Sequence, residues 1–434
     1  MKLMNSTRFQ RRKSEQGITI LLVAVCMAFI VMAFAALAVD VTTLYTARAE
    51  ARMAADAGAL AGAKVLSVSG MTSDPTNANL QSAAVTLATQ VATATATSNM
   101  VGGRQLQTSE VSVSIPTGAT SFTVNPQVTV TVRRADLPAF FSKIWGTQFL
   151  SVSGTAIAEA YNPSGAGSLG TGVAPPISPQ CVKPWILPNI NPFTSTQQHI
   201  FDPTTGAISA GPPNMIGQVV SLKRSCANNG CAVNMTTPAP GSFYDANLAP
   251  PNAGTLPSSC TLSCNYEENI AACSPAPIAC NTPANVAIEL GSSCGNYNSS
   301  TLTAASCLIH NTLGEDTITV NGSPLQTVPQ FFAGGGNPLV ANGVIASGDQ
   351  VTTSNSIVTI PVYDGDWNSL APTSPVNVIG FVQVFINSVT QDATGNAQIA
   401  VTILNVSGCG STVVSGTPII GDGVSPVPVR LMQN

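Results

Sequence analysis

The stretch Gly17-ITILLVAVCMAFIVMAFAALAV-Asp40 carries no charge until its final aspartate. As a helix rising about 1.5 Å per residue, residues 17–39 reach roughly 35 Å, enough to cross a ~30 Å hydrocarbon core with some tilt. Asp40 marks where such a helix leaves the hydrocarbon, because a carboxylate is costly deeper in a bilayer. Of the 16 Lys+Arg residues, Lys2, Arg8, Arg11, Arg12 and Lys13 all precede this run. Positive flanks stay cytoplasmic, so the amino terminus is expected inside and the ~395 residues after the run outside, in a single-pass arrangement. The competing reading is a cleaved leader, since Ala36-Leu37-Ala38 is an A-x-A-like site. Against it, the run is longer than a leader's ~7–15 apolar residues, and helical sequence continues unbroken beyond the site.

Composition agrees with export. Only 8% of residues are charged, and the chain holds 36 Gly and 31 Pro. Taking away the basic residues of positions 1–39 and Glu15 leaves 11 Lys+Arg against 19 Asp+Glu, a net charge of −8. Nucleic acid is a poor partner for such a surface, because its phosphates call for clustered Lys and Arg. Of 11 cysteines, Cys26 lies inside the apolar run and reads as a small apolar residue there. The others, Cys181, Cys226, Cys231, Cys260, Cys264, Cys273, Cys280, Cys294, Cys307 and Cys409, all fall in the carboxy-terminal part. Even in number and in an exported chain, they read as a disulfide framework whose pairing the sequence leaves open.

The chain divides into a basic segment 1–16, a membrane helix 17–39, an α+β domain 40–161, a Gly/Pro/Ser-rich linker 162–180 and a Cys-rich, mostly β domain 181–434. Residues 41–63 favour helix, and Ala54, Gly58 and Gly62 give small-xxx-small spacing. That spacing admits either a neighbouring helix or the protein's own domain. A second helix is predicted over 77–94 behind Asp74-Pro75, with strands over 111–115, 122–132 and 149–161 and a short amphipathic helix over 137–146. In the carboxy-terminal part, strands are predicted over 317–320, 350–363, 376–389 and 397–406, and the density of Pro and Gly argues against helices.

The lead Arg11-RKSEQ-Gly17, the apolar helix, its Ala38-Val39-Asp40 exit and the tract Ala49-EARMAADAGALAG-Ala63 resemble the TadE/TadG-like family of Flp-type (tight-adherence) pilus-assembly proteins. Asp56-AGALAG-Ala63 fits the "DAAALAGA"-like string of that family. The run from Val128 to Gly146, followed by Val152-SGTAIAE-Ala160, resembles the family's later pattern, so the resemblance spans about residues 10–160. It implies a bacterial inner-membrane component of a pilus or secretion apparatus. Its partners would be the membrane and other apparatus proteins with pilin-like helices, and self-association is compatible with it. Asp40, Tyr45, Asp56, Gly58 and Gly62 are the residues expected to carry assembly. Two departures limit the resemblance. Prepilin-type processing needs Glu five residues after the glycine, where this chain has Leu22. The Asp-x-Ser-x-Ser string of metal-binding relatives is absent.

No catalytic, cofactor or metal site is expected. The two histidines, His199 and His310, lie in different loops, and G-x-S-x-G, H-E-x-x-H and G-x-x-x-x-G-K are absent. The cysteine spacings include no C-x-x-C, which favours disulfides over zinc. Asp364-Gly365-Asp366 and Glu315-Asp316 supply too few oxygens for a recognisable calcium loop. The aromatics of 183–188 and 363–367 are expected in a β core rather than in a contact patch. Two functions follow as alternatives: a non-enzymatic assembly component, or a surface adhesin or ligand-binding protein that uses the same anchor.

Overall fold

The membrane run and the small-residue tract form one uninterrupted helix, α1 (Thr7–Val68, 62 residues), in the computed structural model. The structure describes residues 7–74, 77–116, 125–139, 143, 146, 149–163, 177–194, 198–203, 206–209, 215–224, 241–257, 260–280, 287–288, 294–309, 319–320, 351–353, 355–364, 376–409, 419–421 and 425–432, with only the backbone for 7–16, 287–288, 319–320, 351–353 and 419–421. At about 1.5 Å per residue α1 is ~93 Å long. Helix α2 (Ala78–Thr97) follows. Its cap is Asn77, whose Oδ1 accepts from the Leu80 amide, rather than the expected Asp74. The β-branched threonines of α2 are accommodated by bonding backward: Thr86, Thr89 and Thr93 donate to the carbonyls of Ser82, Val85 and Thr89.

Strands β1 (Val111–Ser114), β2 (Gln127–Pro138), β3 (Phe149–Ala160) and β10 (Val429–Met432) make a four-stranded sheet in the order β10-β3-β2-β1. β2 runs past its expected end at 132 and takes in Leu137 and Pro138, which the sequence assigns to a short helix. The rest of that segment lies mostly outside the described residues. A second sheet closes on itself. Its strands are β4 (Trp185–Pro188), β5 (Val219–Arg224), β6 (Ser242–Asn247), β7 (Ile357–Tyr363), β8 (Val378–Gln391) and β9 (Ala397–Gly408). The order β6-β4-β7-β8-β9-β5 is completed by the parallel pair β5–β6, giving a six-stranded barrel. Two helices interrupt the otherwise β module, contrary to the expectation from Pro and Gly: α3 (Asn265–Ala271) and α4 (Tyr297–Leu308). Asn296 caps α4 through the Asn298 and Ser299 amides, and bridges Cys260–Cys307 and Cys264–Cys294 hold the pair. The fold is α+β.

Every residue of β7 is buried, because alternate side chains enter different cores. Val358, Ile360 and Val362 join one core with Trp185, Phe243, Val382, Ile399 and Val401. Tyr363 joins the other with Ile186, Tyr244 and Phe381. Between β5 and β6, Arg224 Nε donates to Asp245 Oδ2 at 2.6 Å, Tyr266 donates to Asp245 Oδ1 at 2.8 Å, and the Arg224 guanidinium lies 5.0 Å from the Tyr297 ring centre. Buried Lys183 donates to the Ile270 and Ala272 carbonyls at 2.8 and 2.7 Å, at the end of α3. Burial pushes its ammonium down to about 7.

Two compact units emerge. One comprises Met1–Ala57, Thr95–Ser112 and Thr131–Thr155; the other Gly58–Ala94, Val113–Val130 and Ala156–Asn434. The division therefore differs from boundaries at 161 and 180, for a concrete reason within the second unit. The Asn405 side chain of β9 donates to the Ser67 carbonyl at 2.6 Å and accepts from the Ser73 hydroxyl. Asn162 donates to the Val406 carbonyl at 3.0 Å, and Ile177–Pro179 pairs in parallel with Ile419–Gly421. The end of α1 and the barrel thus share hydrogen bonds. The expected linker is narrower at both ends, its middle lying outside the described residues.

Candidate membrane anchor and assembly surface

No residue of the apolar run 18–39 is buried against the described residues of the protein. Ile20, Leu21, Phe29, Val31 and Phe34 are all exposed, and the most apolar 18-residue window, with mean hydropathy 3.0, is 0% buried. Exposure of this much apolar surface is unfavourable in water and natural in lipid. One helix is therefore long and apolar enough to span a membrane. Cys26 sits within it as an exposed free thiol.

Beyond the run, α1 changes character. Asp40 is 5% exposed, whereas Tyr45 is 72% exposed. Ala47, Ala51, Ala54 and Ala55 are fully buried, Asp56 is half-buried, and Gly58 and Gly62 are buried. The first unit explains the early part of this pattern. A Cβ on Gly154 of β3 would lie 2.6–2.8 Å from the backbone of Ala51 and Arg52, so only glycine lets strand and helix approach this closely. Glu50 accepts from the Gly102 amide at 2.6 Å. Around that contact, buried Arg134 donates to the Val101 and Gly102 carbonyls and, at 2.7 Å, to Asp136. Arg104 reaches Glu110 at 2.6 Å and Asp136 at 2.9 Å. The hydrogen bond from Arg134, and then that from Arg104, holds the Asp136 carboxyl below its usual range. The Glu110 carboxyl is lowered chiefly by Arg104.

In the second unit, a Cβ on Gly62 would meet Val128 Cγ1 at 3.0 Å, Ala92 Cβ at 3.1 Å and the Ala88 carbonyl at 3.2 Å. The small-residue face at Gly62 is thus filled by the chain's own α2 and β2, the second of the two uses its spacing allows. Of the five residues expected to carry assembly, Tyr45 alone is well exposed. Sequence reasoning passed over Met53, which is 61% exposed in the same helix, and Arg48, also exposed. A break in the small-residue pattern at Met53 was the available signal.

The cysteines pair as Cys181–Cys273, Cys260–Cys307, Cys264–Cys294 and Cys280–Cys409. Cys226 and Cys231 lie outside the described residues, as do His310, Asp366, Trp367, Glu315 and Asp316. His199 Nδ1 sits 3.0 Å from the Asn189 carbonyl oxygen, in a loop that the Asn189 side chain ties to Phe201. Trp185 and Tyr363 are fully buried in the barrel cores.

The model of the family described as Flp pilus-assembly TadE/G-like matches residues 17–65. The chain carries a TadE/G-like segment. It takes in the exposed apolar run, Asp40 and the buried small-residue tract of α1. No curated protein and no solved structure matches the chain.

Proposed function

We propose that this protein is a membrane-anchored, non-enzymatic component of a Flp/Tad-type pilus or secretion apparatus. Its amino terminus would lie in the cytoplasm of a bacterial cell, its α1 would cross the inner membrane, and its barrel module would lie on the far side. The observation that carries the reading is the coincidence of the TadE/G-like match with a helix whose apolar run is wholly unburied. Disulfides in the module support a destination outside the reducing cytoplasm. The basic flank supports the orientation.

Partners would meet α1 where it is exposed after leaving the membrane, at Tyr45 and Met53. Gly58 and Gly62 would contribute by letting α1 pack within its own chain. Photoactivatable residues at Tyr45 and Met53 of the full-length protein test this in cells carrying the apparatus. Adducts with apparatus proteins are expected there and not at buried Ala54. Equal labelling at all three positions, or intact pili after deletion of the gene, would contradict the proposal. Removing residues 181–434 is an unsuitable test, because it deletes β10 and the Asn405 contact and so damages the fold itself.

A further inference from the structure

Just past the apolar run, α1 and β3 border an open groove of about 620 Å³, lined by Val41, Leu44, Tyr45, Arg48, Ser151, Val152 and Ser153. All of these residues belong to the first compact unit. We propose that this groove seats the phosphate of a membrane phospholipid, with Arg48 as its cation. The inference rests on the reading of α1 as a retained anchor.

Four observations point to a lipid rather than to another occupant. The groove is continuous with exposed apolar helix surface, since Val39 and Val41 are themselves 49% and 42% exposed. Its chemistry is ordered along the membrane normal. Along α1, Val41 and Leu44 come first, then Tyr45, then Arg48, the same sequence as acyl chain, glycerol and phosphate. Arg48 is exposed, and among the described residues it has no hydrogen-bond or ion-pair partner. Helical side chains lean toward the amino terminus, so its long stem carries the guanidinium back toward the bilayer. A guanidinium is also the side chain best matched to phosphate.

The fourth observation concerns Phe149, the first residue of β3, which is 59% exposed. Gly154 packs on Ala51 and Arg52, and Ser151–Ser153 line the groove farther toward the membrane. Five residues of strand, at about 3.3 Å each, carry the chain ~16 Å from Gly154 to Phe149. Eleven residues of helix, at about 1.5 Å each, carry it ~16 Å from Ala51 to Asp40. Phe149 is therefore level with the helix exit. With Tyr45 it places two exposed aromatic rings in the headgroup layer, where such rings concentrate.

The test counts phosphatidylglycerol molecules retained by the full-length protein in detergent, by mass spectrometry of the intact complex over a lipid titration. Arg48→Gln should weaken retention at least fivefold and Arg48→Lys much less, with unfolding midpoints unchanged. Phe149→Ser should weaken it about twofold. Equal retention by wild type and Arg48→Gln overturns the seat, and so does saturation of the site by inorganic phosphate at lipid-like concentrations. Alkaline carbonate washing of membranes separates the two levels. Release of the wild-type chain overturns the anchor reading and the seat with it. A retained wild type whose lipid binding ignores Arg48 overturns the seat alone.

Discussion

The two ends of α1 are both apolar, yet one stands exposed and the other is buried. Residues 18–39 are rich in Ile, Leu, Val, Phe and Met and stand exposed, with Phe34 at 68%. Between Ala47 and Leu66 the buried positions are mostly alanine and glycine, and Ala51, Ala54, Ala59 and Ala63 are at 0%. Hydrophobicity alone would have assigned the greasier end to the core. Size decides instead: small residues let α2, β2 and β3 come within backbone distance, while large ones suit a fluid solvent that conforms to them.

Volume added at the packed end should break this contrast most strongly. Gly62→Leu has no space beside Val128, Ala92 and the Ala88 carbonyl, and is expected to cost about 3 kcal/mol or more in chemical unfolding of the detergent-solubilised chain. Leu22→Ala at the lipid end should leave that unfolding unchanged. The mirror image is Ile30→Arg. It should oppose membrane insertion by ~3 kcal/mol, read as the inserted fraction in a translocation assay, without altering unfolding of the domains beyond the membrane. Next comes Asn405→Ala, which removes the amide's bonds to the Ser67 carbonyl and the Ser73 hydroxyl; each keeps another partner, Ser425 and Val406 respectively, so the cost should be about 1 kcal/mol. The most gradual effect comes from pH, to which residues 17–39, holding no charge, cannot contribute a slope. Lys183 titrates at about 7 when folded and at its ordinary 10.5 when unfolded, so the unfolded chain binds more protons between those values. Stability should therefore rise with pH through that window, by at most roughly 1.4 kcal/mol per unit, and Lys183→Met should flatten the rise.

The helix from 17 to 63 was legible because a long uncharged run and an alanine-rich tract each favour a single structure. Strands β3, β8 and β9 were legible to within two residues at most ends, because β-branched residues recur between Gly and Asn turns. The meaning of Gly62 was ambiguous in sequence, since the same spacing serves an internal or an external neighbour. The partition of the chain was hidden for a different reason. Within the second unit, contacts such as Asn405 to Ser67 and Asn162 to Val406 join positions far apart in the chain, and no local pattern announces them. The helices α3 and α4 escaped notice because disulfides and one asparagine cap outweigh weak helix propensity. The groove at Arg48 was likewise invisible until β3 was placed beside α1.

Strand β10 ends at Met432 and completes the sheet through residues 157–160 of β3. Synthesis must therefore reach Val429 before β3 gains its neighbour on that edge. Under the proposed orientation, β3 would wait with an open edge while the intervening chain crosses the membrane, a period in which a holding chaperone would be valuable. A nonsense mutation shortly before Val429 should accordingly yield degraded rather than shortened protein.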